Sequence, residues 1–116
     1  MKSIFIIGCG LLGSSLLRRI HKKKIARKIF VYEKSKKKIE KIKKLKLPCI
    51  IVKKTQEAVK KSDLIIFCTP MSEYKKTILK LNKFLTTNHI ITDVGSSKSS
   101  SLKIVKKYLK KNIFWT

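Results

Sequence analysis

Short apolar runs alternate with stretches in which apolar residues recur every three or four positions among lysines. Ser3-Ile4-Phe5-Ile6-Ile7 reads as a first strand, and Leu11, Leu12, Ser15, Leu16, Arg19 and Ile20 follow at helical spacing. Lys28-Ile29-Phe30-Val31-Tyr32 predicts a second strand. Ser35 can cap a helix whose apolar face is Ile39, Ile42 and Leu45, with Pro48 ending that segment. Cys49-Ile50-Ile51-Val52 makes a short third strand, and Thr55 caps a brief helix around Ala58 and Val59. Leu64-Ile65-Ile66-Phe67-Cys68 is the most apolar run, which predicts a central strand buried on both faces. Tyr74, Ile78, Leu81 and Leu85 share one stripe of a fourth helix. His89-Ile90-Ile91-Thr92-Asp93 is a fifth strand, Leu102, Val105 and Leu109 mark a last helix, and Ile113-Phe114-Trp115 begins a sixth strand. Strands alternating with helices through short turns predict a parallel sheet covered on both faces. Right-handed crossovers lead to the strand order 3-2-1-4-5-6.

Composition narrows the picture. At 116 residues the chain holds one domain, residues 1–116, and buries roughly two-thirds of its unfolded surface. With 43% hydrophobic residues it is not a disordered chain. No run reaches the roughly 18 apolar residues of a membrane span, and the first strand is about half a signal-peptide core, so the expectation is a cytoplasmic protein without membrane contact. Thirty Lys and Arg against six Asp and Glu give a net charge of +24. Clustered cations bind nucleic acid, but here the lysines spread over every predicted helix. Only Arg18, Arg19 and Arg27 are arginines, the usual readers of base edges. A compositional drift toward lysine and isoleucine is the simpler account, and no nucleic-acid partner is expected. Cys9, Cys49 and Cys68 have no metal spacing, and His21 and His89 stand alone, so no metal site is expected.

Candidate chemistry begins after the first strand. Gly8-Cys9-Gly10-Leu11-Leu12-Gly13 is a Gly-x-Gly-x-x-Gly motif between a strand and a helix, the context that makes this pattern a dinucleotide-binding fingerprint. Gly8 permits the tight turn, Gly10 lets backbone approach a pyrophosphate, and Gly13 lets helix and sheet pack closely. The diphosphate then lies on unpaired amides at the positive end of the helix dipole. The chain therefore reads as a Rossmann-type doubly wound α/β domain of three layers, with NAD or NADP as cofactor. Glu33 follows the second strand about 20 residues beyond the glycines, where this fold places an acid for the adenosine ribose. A carboxylate there repels the extra phosphate of NADP by about 4 kcal/mol at 4 Å and an effective dielectric near 20. Lys34, Lys36 and Lys37 adjoin it and can neutralise a phosphate, so NAD is favoured and NADP is the alternative. Thr69-Pro70 leaves the central strand at its ligand-binding end. Thr92-Asp93-Val94-Gly95-Ser96-Ser97-Lys98 brings a glycine, hydroxyls and a lysine to the same crevice, although Ser96 or Ser97 can equally cap the last helix.

These stretches together resemble the amino-terminal domain of prephenate and arogenate dehydrogenases, enzymes of tyrosine biosynthesis. The similarity runs through Ile6 to Leu16, Val31-Tyr32-Glu33-Lys34-Ser35, Asp63 to Pro70, and Thr92 to Lys98, in order. The resemblance implies an NAD(P)-dependent oxidoreductase that oxidatively decarboxylates prephenate or arogenate, with Gly8, Cys9, Gly10, Leu11, Leu12, Gly13, Glu33, Lys34, Thr69 and Pro70 at the cofactor. It places Ser96 near the substrate hydroxyl as the catalytic residue in this chain. In the family a Gly-Gly-His-Pro segment carrying the principal histidine follows the sixth strand. A carboxy-terminal helical domain then binds the substrate carboxylates and forms the homodimer. The chain reaches Trp115-Thr116 just before that segment, which implies the nucleotide-binding portion only, truncated or partnered by a helical domain on a separate chain. Two further readings are a stand-alone dinucleotide-binding module without turnover and a basic nucleic-acid-binding protein.

Overall fold

A single parallel sheet in the order β3-β2-β1-β4-β5-β6 organises the computed structural model, which describes residues 3–94, 98–110 and 112–116. The strands are β1 (Ser3–Ile7), β2 (Lys28–Tyr32), β3 (Ile50–Ile51), β4 (Leu64–Phe67), β5 (Ile90–Asp93) and β6 (Phe114–Trp115). The helices are α1 (Leu11–Lys23), α2 (Lys36–Lys44), α3 (Thr55–Lys61), α4 (Tyr74–Leu81) and α5 (Lys98–Tyr108), with a 3-10 turn at Met71–Glu73 leading into α4. The expected order is the observed one.

Period-two alternation along the strands divides the core. Phe5, Ile7, Phe30, Ile65, Phe67 and Ile91 meet the buried faces of α3, α4 and α5 on one side. Ile4, Ile6, Ile29, Val31 and Ile66 meet Leu17 and Ile20 of α1 and Ile42 of α2 on the other. The result is three layers. Phe67 anchors the first face, edge-on to Tyr74 at 5.3 Å and to Trp115 at 6.1 Å between ring centres.

Several expectations of detail are corrected. The buried stripe of α1 is Gly13, Leu17 and Ile20, whereas Leu11, Leu12, Ser15 and Arg19 face outward. The turn that starts this helix is wrapped around an open cleft, so its leucines have no sheet to pack on. Thr55 is the first residue inside α3, and Lys54 holds the cap position without a side-chain bond. Ser101, not Leu102, is buried on α5. Cys68 lies just past β4 and is half-buried, and α2 stops at Lys44, ahead of Pro48, with Lys46 at a φ of 53°.

Register sets the site. Ile7 lies level with Tyr32 and with Phe67, and Phe67 lies level with Asp93. Four strands therefore end on one line, and the segments after them open at one edge. The opposite edge is closed by polar bonds. Ser3 Oγ donates to the Lys61 carbonyl and Ser62 Oγ to that of Ala58, while the backbones of Ser3 and Ile90 both bond to Asp63. His89 Nδ1 accepts the Thr86 N–H at 2.9 Å, so Nε2 carries the proton and donates to the Val59 carbonyl at 2.7 Å. His89 thus serves structure, at the end of the sheet remote from the cleft.

Candidate functional site

Gly8 leaves β1 with a φ of +83°, a left-handed conformation that an L side chain rarely adopts. A Cβ there would stand 2.6 Å from the Thr69 methyl. One on Gly13 would stand 2.7 Å from the Gly8 carbonyl, which holds α1 against the elbow. The space beside Gly10 is open, since among the described residues a Cβ would meet only the tip of Lys38. Among the described residues no side chain caps the N-terminus of α1 and no acid occupies its first turn, so the first-turn amides lack a side-chain acceptor there. By contrast α2 is capped by Ser35, whose Oγ accepts the Lys38 N–H.

Above this elbow lies a cleft of about 860 Å³, lined by Gly8, Gly10, Leu11, Leu12, Glu33, Lys34, Thr69 and Pro70 among others. Eight of the sequence-derived cofactor residues thus converge on one cavity. Leu11 is 87% exposed at its mouth, an apolar surface left facing the open space. Cys9 and Gly13 stand behind the wall. The Cys9 side chain is buried with Leu17, and its N–H donates to Glu33 Oε1 at 2.7 Å. The other oxygen of Glu33 accepts the Ser35 N–H at 2.9 Å. One carboxylate therefore ties the elbow to the start of α2. It still has two of its roughly four lone-pair sites free for hydroxyl donors. Lys34 pairs with Glu73 at 3.3 Å across the cleft mouth.

Sequence reasoning missed a buried polar pair at the cleft floor. Tyr74 Oη donates to Asp93 Oδ2 at 2.6 Å, joining the start of α4 to the end of β5. Burial raises the Tyr74 pKa, reinforced by its bond to Asp93, so the phenol stays protonated at neutral pH. Burial likewise pushes the Cys68 thiol up to about 12, helped by Cys9 and Asp93, and burial raises Cys9 too. Neither thiol is a nucleophile at neutral pH. The signal for the pair was the acid closing β5, but nothing in a helical stripe shows that one member points its hydroxyl at it. Ser96, with Gly95 and Ser97, lies outside the described residues.

The donor set suits a dinucleotide. Open amides face the cleft at Gly10, a carboxylate with spare acceptor sites stands at the end of β2, and the Thr69 hydroxyl is buried in the wall with no hydrogen-bond partner among the described residues. An orphaned buried hydroxyl is costly unless something else satisfies it. Among the described residues there is no group of three or more His, Cys, Asp or Glu that could hold a metal ion. No helix there is long and apolar enough to cross a membrane.

A doubly wound parallel sheet with a glycine elbow under a cleft at its switch point is a Rossmann-type nucleotide-binding fold. The chain belongs to the family described as "NADP oxidoreductase coenzyme F420-dependent", whose model matches residues 3–97. It is 30% identical over 112 residues to the cyclohexadienyl dehydrogenase of Zymomonas mobilis, covering 97% of this chain and 38% of that enzyme. Its fold is similar to prephenate dehydrogenase from A. aeolicus in complex with hydroxyphenyl propionate and NAD+. The TM-score is 0.83 at 21% identity, over 97% of this chain and 40% of that one. Synechocystis arogenate dehydrogenase follows with a TM-score of 0.76 at 22% identity, over 91% of this chain and 37% of that one. The chain thus spans well under half the length of these relatives.

Proposed function

We propose that this chain binds NAD in the cleft above Gly10, as the cofactor-holding part of an oxidoreductase acting on prephenate or arogenate in the cytoplasm. The observation that carries the reading is the uncapped start of α1 beneath open space at Gly10. Its likeness to prephenate, arogenate and cyclohexadienyl dehydrogenases supports the substrate class.

Each lining residue has a definite task in this reading. The amides of Leu11 and Leu12 hold the diphosphate at the positive end of α1. The spare lone pairs of Glu33 accept the adenosine ribose hydroxyls, and its charge disfavours a ribose phosphate, so NAD is preferred over NADP. Gly8 seats the elbow against Thr69, whose unpaired hydroxyl supplies a hydrogen bond to the ligand. Pro70 starts the turn that carries Glu73 and Tyr74. Leu11 and Leu12 shield the bound ligand from water. Once held there, NAD would supply the hydride acceptor for the oxidation. Ser96 is assigned to the substrate hydroxyl on the resemblance described above. The same resemblance gives the proton-accepting base and the carboxylate-binding cations to a helical domain, on this polypeptide or a partner chain. That domain also forms the dimer.

The test is titration of the folded chain with NADH and NADPH, followed by nicotinamide fluorescence. Saturable binding is expected, tighter for NADH, and Gly10→Trp abolishes it while thermal unfolding stays close to that of the wild type. No binding of either at millimolar concentration, in a sample that melts cooperatively, refutes the reading. Binding without turnover, even with a full helical partner supplied, leaves a binding module in place of an enzyme.

A further inference from the structure

Lys38 reaches the elbow from the first turn of α2. Among the described residues it alone has heavy atoms within 4 Å of the position a Gly10 Cβ would take, apart from the chain next to that glycine. Its Nζ stands at 3.7 Å and its Cε at 3.9 Å. This juxtaposition is built into the backbone. The root of Lys38 is fixed by its own N–H donating to Ser35 Oγ, and the Ser35 N–H is held by the carboxylate that also holds the Cys9 N–H. Glu33 therefore sets the distance between the lysine's helix and the elbow. The Lys38 ammonium has no carboxylate partner among the described residues, whereas its neighbour Lys34 is occupied by Glu73. A free cation thus stands over the one open face of the glycine turn.

We propose that Lys38 is a phosphate-binding residue of this cleft, its ammonium pairing with the bridging diphosphate held by the elbow amides. The inference rests on the dinucleotide reading above and adds a specific contact to it. Helix amides and the helix dipole supply about half a unit of positive charge, while a diphosphate diester carries two negative ones. An ammonium approaching from the open side supplies most of the missing charge, a role for which lysine serves as a point cation. The position over Gly10, the middle of the elbow, selects the bridging phosphates over a phosphate on the adenosine ribose, whose seat is at Glu33.

The experiment compares wild type, Lys38→Gln and Lys38→Arg by titration with NADH, NADPH, ADP and adenosine. Lys38 is exposed, so neither change should move the thermal midpoint, and circular dichroism melts check this. Lys38→Gln is expected to weaken NADH, NADPH and ADP alike by roughly 10-fold and to leave adenosine unchanged, while Lys38→Arg recovers most of the loss. Wild-type affinity for NADH in Lys38→Gln overturns the assignment, as does a loss confined to NADPH, which would put the ammonium on the ribose phosphate. If wild type itself binds no NADH, the dinucleotide reading falls first and this one with it.

Discussion

Replacing Gly8 by alanine should cost stability that the same change at Gly10 does not. At Gly8 the backbone sits at a φ of +83°, and holding an L residue in the left-handed region costs about 1–2 kcal/mol. The new methyl would also stand 2.6 Å from Thr69 Cγ2, with the Thr69 amide nitrogen at 3.1 Å and the Cys68 carbonyl carbon at 3.2 Å. Two of those three atoms are backbone, so the end of β4 must shift, and such overpacking costs roughly 1–3 kcal/mol. Stiffening of the unfolded chain returns about 0.4–1 kcal/mol. The net loss is about 2–4 kcal/mol, which for a domain of this size lowers the melting midpoint by roughly 8–16 °C. Gly10 is the internal control. Its φ is −80° and nothing lies closer than 3.7 Å to the added carbon, so Gly10→Ala should melt within about 2 °C of wild type. Thermal unfolding of the three proteins, followed by far-ultraviolet circular dichroism, decides the matter. If Gly8→Ala melts with wild type, or if Gly10→Ala falls as far as Gly8→Ala, the division of labour between the glycines is wrong.

Two other perturbations separate the ends of the sheet. Tyr74→Phe removes the 2.6 Å donor to Asp93 and should cost about 1–3 kcal/mol in urea unfolding. The raised pKa values of Tyr74 and Cys68 mean that folding favours their neutral forms. Their stabilising contribution is intact below the unfolded values, about 8.5 for a thiol and 10 for a phenol, and is lost as pH climbs toward the folded ones. The urea midpoint should therefore decline through pH 9–12, and Tyr74→Phe should flatten the part above about pH 10; a midpoint constant to pH 11 contradicts the burial of both groups. His89→Ala leaves the Thr86 N–H without its partner and the Val59 carbonyl with the Ser62 N–H alone, and should cost roughly 1–3 kcal/mol. NADH affinity should be unchanged, and a parallel loss of affinity would show that the far edge is coupled to the cleft.

Most of the architecture is legible because period and punctuation agree. Ser3–Ile7 and Lys28–Tyr32 are apolar runs bounded by glycines or charges, and both strands fall where the pattern places them. Ser35 caps α2 as its position before a lysine-rich helix suggests. Local pattern fails where an element's environment is set by empty space. Leu11 and Leu12 stand at helical spacing with the apolar positions of α1, yet they border the cleft and stay exposed, as their place in the glycine motif implies and their hydrophobicity does not. Ser101 is buried in place of Leu102 because the orientation of α5 is fixed by its partners, with the Asn82 side chain bonded to the Tyr108 carbonyl and the Lys110 amide. Of the cleft residues, the glycines and Glu33 are legible because each performs a task that only its residue type can perform. The proximity of Lys38 to Gly10 is not, because no spacing rule links a lysine in α2 to a turn at the end of β1.

The Glu33 bridge has a wider consequence. Because one side chain clasps both the first and the second crossover turn, a displacement of either is handed to the other without passing through the sheet. A guest settling onto the elbow would thereby order the entry to α2, so slowed amide exchange at Cys9 and Ser35 should report occupancy from two places remote in the chain.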